Sequence, residues 1–201
     1  MTDFIVGKTK VAINDNSVCK IYENINEKEW KRVLNASLLL EKNGIGPKII
    51  SIDGYNSGGE GNIICYQKVT PFDAEDYHIR PRTGGKEMSD EDLIKNISSI
   101  IRRLHSLGYA HGDLHLSNIG FIENYLGDKT KFVILDHDTI FKINNPEPWV
   151  KRWMEEGFDW EDSYKDFVNH DLDNFMFSWL GNPPEDREQN LREALESEDT
   201  E

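Results

Sequence analysis

The chain has 201 residues, 37% hydrophobic and 30% charged, which is typical of globular proteins and unlike disordered or fibrous chains. Its net charge of −14, from 23 lysines and arginines against 37 aspartates and glutamates, disfavours a direct electrostatic grip on nucleic acid. The apolar runs are too short to span a bilayer and no signal-peptide pattern is visible, so we expect no membrane contact and a cytoplasmic location, or a host-cell interior for a viral or effector protein.

Short strand-like runs and one helix fill the first third of the chain. The runs before the helix are FIV, KVAI and SVCKIY, and the runs after it are KIISID and NIICYQKV. The helix is expected from about Asn26 to Lys42 because apolar residues recur there at helical spacing. Five strands in an antiparallel arrangement and one helix are therefore predicted before residue 70.

Two cysteines, Cys19 and Cys65, lie inside these strand-like runs. Both have apolar neighbours, so we expect them to pack as small core residues and not to form a disulfide or a metal site.

The middle of the chain predicts a loop followed by a second helix. Residues 80–86 are rich in proline, arginine and glycine, which favours a loop. Ser89, with Asp92 three residues later, is typical of a helix N-cap. An apolar stripe begins at Leu93 and ends before Gly108, so the helix is expected to end there.

Directly after Gly108, the stretch YAHGDLHLSNIGF (109–121) places polar side chains on a loop before a predicted strand pair, 118–122 and 131–135. Asp113, Asn118 and Asp136, which follows the second strand, could meet there. Carboxylate and amide oxygens are the ligands that Mg²⁺ prefers. A further carboxylate beside them can accept a proton from an attacking hydroxyl.

This set of residues resembles the protein-kinase-like superfamily, whose catalytic loop has the form H-x-D-x-x-x-x-N. His111 to Asn118 fits that spacing, and Asp136-His-Asp138 occupies the place of the metal-binding D-F-G. The HGD variant is similar to small atypical members: RIO kinases, the small kinase of the KEOPS complex, lipopolysaccharide kinases, and choline or aminoglycoside phosphotransferases.

The resemblance implies an α+β fold of two lobes. The N-lobe would be a five-stranded antiparallel sheet with one helix in residues 1–69, joined by a hinge near 67–70. A reduced, mainly helical C-lobe would occupy 70–184 and contain the catalytic loop 109–121. Residues 185–201 would form an acidic C-terminal tail.

The resemblance also implies roles for residues of the first lobe. Lys20 takes the place of the lysine that orients the ATP phosphates, and its partner should be a helix glutamate. The usual position for that glutamate falls near Val33, so Glu29 is the nearest candidate, with Glu27 and Glu41 as rivals. The remaining ATP contacts would come from Gly7 under the phosphates, Val18 against the purine, Tyr66 as gatekeeper, and the backbones of Gln67 and Val69 at the adenine edge.

In the second lobe, the resemblance implies that a buried aspartate on a late helix holds the catalytic loop. Asp171 is our candidate for that role, ahead of Asp173. His111 is expected to support the loop without transferring protons, and no role is assigned to His115 or His137.

The sequence therefore predicts a phosphotransferase that depends on ATP and Mg²⁺. Asp113 would accept the proton of the acceptor hydroxyl, and Asn118 and Asp136 would bind Mg²⁺. We expect the acceptor to be a serine or threonine of a protein, a basic one given the acidic surface. A kinase for a sugar, choline-like or antibiotic hydroxyl and a pseudokinase or ATPase-like regulatory module remain alternatives. The sequence gives no indication of the oligomeric state.

Overall fold

The structure, a computed structural model, describes residues 2–6, 9–54, 62–72, 81–127, 129–148, 150 and 164–180. The chain divides into two compact units, Met1–Val69 and Thr70–Glu201. The described elements are helices and several antiparallel sheets, which confirms the α+β class. The assignment of these units to kinase lobes stays a prediction.

A five-stranded antiparallel sheet forms most of the first unit, in the order β1-β2-β3-β5-β4. The strands are β1 (Thr2–Val6), β2 (Thr9–Ile13), β3 (Ser17–Tyr22), β4 (Ile49–Asp53) and β5 (Asn62–Gln67), and helix α1 (Glu27–Lys42) connects β3 to β4. These elements lie close to the positions that the hydrophobic patterns predict.

Helix α1 buries one face against the sheet. It begins at the N-cap Asn26, whose side chain accepts a hydrogen bond from the Glu29 backbone N–H. Its buried residues are Trp30, Val33, Ala36, Ser37 and Leu40. In β5, every second residue is buried, namely Asn62, Ile64 and Tyr66. This alternation identifies the face of the sheet that forms the core of the unit with α1.

A disulfide joins Cys19 and Cys65, and the expectation of two unpaired cysteines is wrong. The two residues are direct partners on the adjacent antiparallel strands β3 and β5, with their Cα atoms 4.0 Å apart. Both lie on the less buried face of the sheet. Strand register decides this pairing, and residue spacing does not reveal it. Because disulfides are rare in the reducing cytoplasm, the pairing also weighs against the expected cytoplasmic location, which stays a prediction.

The second unit combines two described helices with short antiparallel strands. Its helices are α2 (Asp90–Ser106) and α3 (Tyr164–Leu180). Its strands are β6 (Thr70–Pro71), β7 (Arg82–Thr83), β8 (Lys86–Glu87), β9 (Tyr109–Ala110), β10 (Ile119–Tyr125), β11 (Lys129–Ile134) and β12 (Phe141–Lys142). They pair as β11-β10-β6, β12-β9 and β7-β8. The predicted strand pair after the polar loop is confirmed as β10 and β11.

Within the segment predicted as a loop at 80–86, residues 82–86 instead belong to a β-hairpin. Strands β7 and β8 pair in register around Gly84 and Gly85, whose φ angles are +59° and +75°. Two central residues with positive φ fit the type I′ turn, whose twist matches that of the flanking strands. The Gly-Gly pair that suggested a loop is therefore the turn of the hairpin.

The predicted limits of α2 are confirmed. Ser89 is the N-cap, and its hydroxyl accepts from the Asp92 backbone N–H at 3.1 Å while donating to the Asp92 carboxylate at 2.8 Å. After the helix, Gly108 adopts a φ of +79°, which favours glycine. The buried residues of the apolar stripe are Leu93, Ile97, Ile101 and Leu104.

The acidic tail at 185–201 lies outside the described residues. Among the helices that are described, none has the length and apolar character needed to cross a membrane.

Candidate active site

The loop between β9 and β10 carries the predicted catalytic residues, and its sharp entry requires a glycine. Gly112 has a φ of +79°, in the region that disfavours side chains. A Cβ atom there would lie 3.0 Å from Cε1 of Phe141 and 3.3 Å from the Thr139 carbonyl oxygen. Both the backbone angle and the close packing therefore explain why the residue before Asp113 is a glycine.

The carboxylate of Asp171 on α3 holds this loop by accepting hydrogen bonds from its backbone. One carboxylate oxygen accepts from the His111 N–H at 2.7 Å, and the other accepts from the Gly112 N–H at 2.8 Å. The His105 ring nitrogen Nε2 donates to the same carboxylate at 3.0 Å. Asp171 is fully buried, whereas Asp173 is exposed. The prediction that Asp171, and not Asp173, anchors the catalytic loop is confirmed.

The electrostatics of Asp171 favour its charged form. Burial alone raises the pKa of an aspartate, but the hydrogen bonds to His105 and His111 and the nearby histidine charges outweigh it, so the pKa of Asp171 lies below its usual value. The neighbouring His170 shows the opposite balance, because burial lowers its pKa despite the attraction of Asp171. The anchor is therefore an ionised carboxylate surrounded by donors.

His111 connects the catalytic loop to the segment that carries Asp136. Its side chain is fully buried, with Nε2 2.8 Å from the Leu135 carbonyl oxygen and Nδ1 3.2 Å from Oγ1 of Thr139. Both ring nitrogens are thus engaged with the protein. This confirms the predicted supporting role.

Asp136 follows the end of β11 in a left-handed conformation, with φ 51° and ψ 62°. Such angles are uncommon outside glycine, although aspartate adopts them more readily than most residues. Strained backbone of this kind concentrates at functional sites, where the surrounding structure holds it in place. The N–H of Leu135, the residue before Asp136, donates to the Asn118 carbonyl oxygen at 2.7 Å. This backbone hydrogen bond joins the two segments that carry the predicted metal ligands.

Asp113, His115 and Asn118 form a small polar cluster on the loop. The Asn118 amide nitrogen donates to the Asp113 carbonyl oxygen at 2.8 Å and lies 3.0 Å from Nε2 of His115. That same Nε2 is 3.7 Å from the Asp113 carboxylate. The Asp113 side chain is 56% exposed, so it is accessible to an acceptor molecule. No role is predicted for His115 from the sequence, although its i, i+3 spacing to Asn118 within a tight turn is a signal for this contact.

The residues of this site fit Mg²⁺. Asn118 and Asp136 offer an amide oxygen and a carboxylate, which are hard ligands, and Mg²⁺ usually takes only one or two carboxylates plus substrate phosphates. No group of three or more histidine, cysteine, aspartate or glutamate side chains suited to a metal occurs in the described part of the chain. The pair Asn118 and Asp136 is therefore the candidate.

In the first unit, three of the predicted nucleotide residues, Val18, Lys20 and Tyr66, lie on one face of the sheet. Val18 and Lys20 alternate with Cys19 along β3, so they point toward the face covered by α1. Val18 is the strand partner of Tyr66, and Lys20 is the partner of Ile64. The Tyr66 hydroxyl is buried 2.8 Å from Oγ of Ser37 on α1. The gatekeeper candidate is thus fixed against the helix.

The three candidate glutamates for Lys20 have other contacts. Glu29 is exposed and accepts from the Asn26 amide at 2.9 Å, and Glu27 pairs with Lys31 at 2.7 Å. Glu41 accepts from the Ile49 N–H at 3.0 Å. No residue on the buried face of α1, a helix described along its whole length, is acidic. The pairing of Lys20 with Glu29 stays a prediction.

The position where the resemblance places the glutamate holds Val33, which is 1% exposed. It packs with Tyr22 and Trp30 in the core between the sheet and α1.

No definite role follows for the remaining residues predicted to bind ATP, namely Gln67, Val69 and Gly7. The Gln67 N–H donates to the Lys48 carbonyl oxygen at 2.7 Å, so that N–H cannot also bind adenine. Val69 follows the end of β5, and Gly7 lies outside the described residues. Their roles stay predictions.

In a comparison with known families, residues 62–179 match the lipopolysaccharide kinase (Kdo/WaaP) family. The match covers more than half of the chain and includes the catalytic loop, Asp136 and Asp171, but not Lys20. No curated protein matches the chain. Because the matched family is one of the kinase-like families that the motifs resemble, the predicted resemblance is confirmed. The chain belongs to the lipopolysaccharide kinase (Kdo/WaaP) family.

Proposed function

We propose that this protein is an ATP- and Mg²⁺-dependent kinase that phosphorylates a hydroxyl of a saccharide. The observation that carries the proposal is the anchored loop, in which Asp113 is accessible while Asp171 fixes the backbone directly before it. Family membership supports phosphate transfer to a hydroxyl. The proposal assigns the first unit to the nucleotide-binding lobe and the second to the catalytic lobe of a kinase-like fold.

In the proposed reaction, Asp113 accepts the proton of the acceptor hydroxyl as its oxygen attacks the γ-phosphorus of ATP. The bond to the bridging oxygen breaks, and ADP leaves. Lys20 would orient the ATP phosphates, and Asn118 and Asp136 would hold Mg²⁺, which would supply neutralisation of the phosphate charge. Most of the rate would come from positioning and electrostatic stabilisation, since the protein forms no covalent bond to the phosphoryl group.

The acceptor proposed here differs from the expected serine or threonine of a protein. That expectation drew on the acidic surface, which does not identify a protein substrate. The family description names lipopolysaccharide as the substrate of the family, and this favours a sugar hydroxyl. Accordingly, we propose the saccharide in place of a basic protein.

A transfer assay with γ-labelled ATP and Mg²⁺ tests the acceptor. The panel would contain lipopolysaccharide, simple sugars, and basic and acidic proteins, with wild-type enzyme beside Asp113→Asn. We expect label on the saccharide fraction, and no label with Asp113→Asn. Label on protein alone would support the serine/threonine reading instead. Nucleotide binding without transfer to any acceptor would favour a regulatory binding module.

A further inference from the structure

The imidazole of His115 lies against the side chain of a predicted metal ligand. Its Nε2 is 3.0 Å from the amide nitrogen of Asn118. The His115 side chain is 38% exposed, so it is not a core residue. Its contact with Asn118 therefore calls for an explanation other than core packing.

The hydrogen bonds of the Asn118 amide fix which atom faces which neighbour. The Asp113 carbonyl oxygen can only accept, so the amide nitrogen must be the atom that faces it, at 2.8 Å. The second N–H of that nitrogen points to His115, and because an amide nitrogen only donates, Nε2 of His115 is the acceptor. Both N–H groups are thus used, and the amide oxygen Oδ1 accepts no hydrogen bond from any described residue.

We propose that His115 is a positioning residue that orients the Asn118 side chain so that Oδ1 is presented to Mg²⁺. The inference rests on the proposed function, because it assumes that Asn118 is a metal ligand. Residues that hydrogen-bond a ligand set its orientation, and their loss typically weakens metal binding about 10- to 100-fold.

The backbone of the loop does not depend on the His115 side chain, because the bond from the Asn118 N–H goes to the backbone carbonyl oxygen of His115. Asp171 binds the N–H groups of His111 and Gly112, and Oγ of Ser178 accepts from the Leu116 N–H at 2.8 Å. The His115 side chain is partly exposed and its polar contacts in the described part of the chain are to other side chains of the loop, so it can be replaced without releasing the loop backbone. This separates the orienting role from a purely structural one.

Binding of Mn²⁺ as a substitute for Mg²⁺, measured by electron paramagnetic resonance with a non-hydrolysable ATP analogue, tests the inference. His115→Ala and His115→Leu remove the acceptor, whereas His115→Gln keeps a side-chain oxygen that can accept. Ser117→Ala is the matched control, since Ser117 is exposed in the same turn. We expect the two truncations to weaken Mn²⁺ binding about tenfold or more. His115→Gln and Ser117→Ala should stay within about twofold of the wild type, and thermal unfolding of all variants should match.

Several results would overturn the inference. Wild-type Mn²⁺ affinity in both truncations would do so, even if turnover falls, because His115 would then act through Asp113 or the acceptor. If His115→Gln weakened Mn²⁺ binding as much as the two truncations do, a hydrogen-bond acceptor at this position would not be what orients Asn118. If the wild-type protein itself does not bind the Mn²⁺–nucleotide complex, the proposed function fails, and this inference fails with it.

Discussion

The two units of the chain differ in how their predicted site residues are held. In the second unit, the loop that contains Asp113 and Asn118 is fixed by a buried carboxylate, by His111 and by bonds to the segment of Asp136. In the first unit, Lys20 lies on a sheet face covered by α1, and that helix has Val33 at the position where the resemblance places the glutamate. The family match runs from β5 through most of α3, so it includes the predicted catalytic loop but neither Lys20 nor α1.

The two sets of predicted site residues are therefore specified in different ways. Asp113 and Asn118 lie on one short loop with fixed spacing, and the buried carboxylate of Asp171 holds that loop by accepting hydrogen bonds from its backbone. The predicted nucleotide-binding residues depend on which face of the sheet α1 covers, and a sheet tolerates substitutions at such positions provided that the core stays filled.

Removing the anchor of the second unit should have the largest effect on stability. Asp171→Ala leaves the N–H groups of His111 and Gly112 and the His105 ring without their acceptor, all in a buried place. We expect the free energy of unfolding to fall by about 3–5 kcal/mol. Denaturant unfolding measures it, with Asp173→Ala on the exposed side of α3 as a control that should change it by about 0.5 kcal/mol or less.

The same anchor predicts a pH dependence. Because the pKa of Asp171 is lower in the folded protein than in the unfolded chain, its ionised form stabilises the fold. This contribution is complete above the ordinary aspartate pKa and is lost as pH falls through the lower, folded value. In wild type, unfolding should therefore become easier in acid, and a similar acid dependence in Asp171→Ala would contradict this role.

In the first unit, the disulfide should contribute about as much to the free energy of unfolding as the Asp171 anchor does, or less. It closes a loop between residues 46 apart, and its loss typically costs about 2–4 kcal/mol. The double variant Cys19→Ser/Cys65→Ser should therefore be less stable than oxidised wild type in denaturant. A reducing agent should lower the stability of the wild type toward that of the variant. If reduction leaves the wild type unchanged, the two cysteines are not paired.

Lys20→Met should impair phosphate transfer while leaving the fold intact. Lys20 is half-buried on the inner face of β3, and methionine can fill the same space. We expect kcat/KM for ATP to fall about 100-fold, which is in the range for loss of one positioned charge partner. Lys10→Met, on the neighbouring strand where Lys10 pairs with Glu23, is the matched control and should retain wild-type kinetics. Equal losses in both variants would point to a general effect of charge.

Local patterns predicted much of the fold. The limits of α1 and α2 followed from Asn26 and Ser89 as caps, and Asp171 followed from the resemblance. The Cys19–Cys65 pairing, the hairpin at Gly84 and Gly85, and the contact of His115 with Asn118 were not predicted. The first depends on which strands lie side by side, the second on turn geometry and the third on side-chain orientation, and the hydrophobic pattern of one segment does not determine these.

The central claim is that Asp113 accepts the proton of a sugar hydroxyl in a reaction that transfers phosphate from ATP. Single-turnover transfer from γ-labelled ATP to saccharide, compared between wild type and Asp113→Asn at equal stability, tests it most directly. Asp113 is exposed, so the substitution should not disturb the fold. We predict a rate at least 100-fold lower in the variant, in keeping with loss of a general base. Transfer at the wild-type rate by Asp113→Asn would contradict the account.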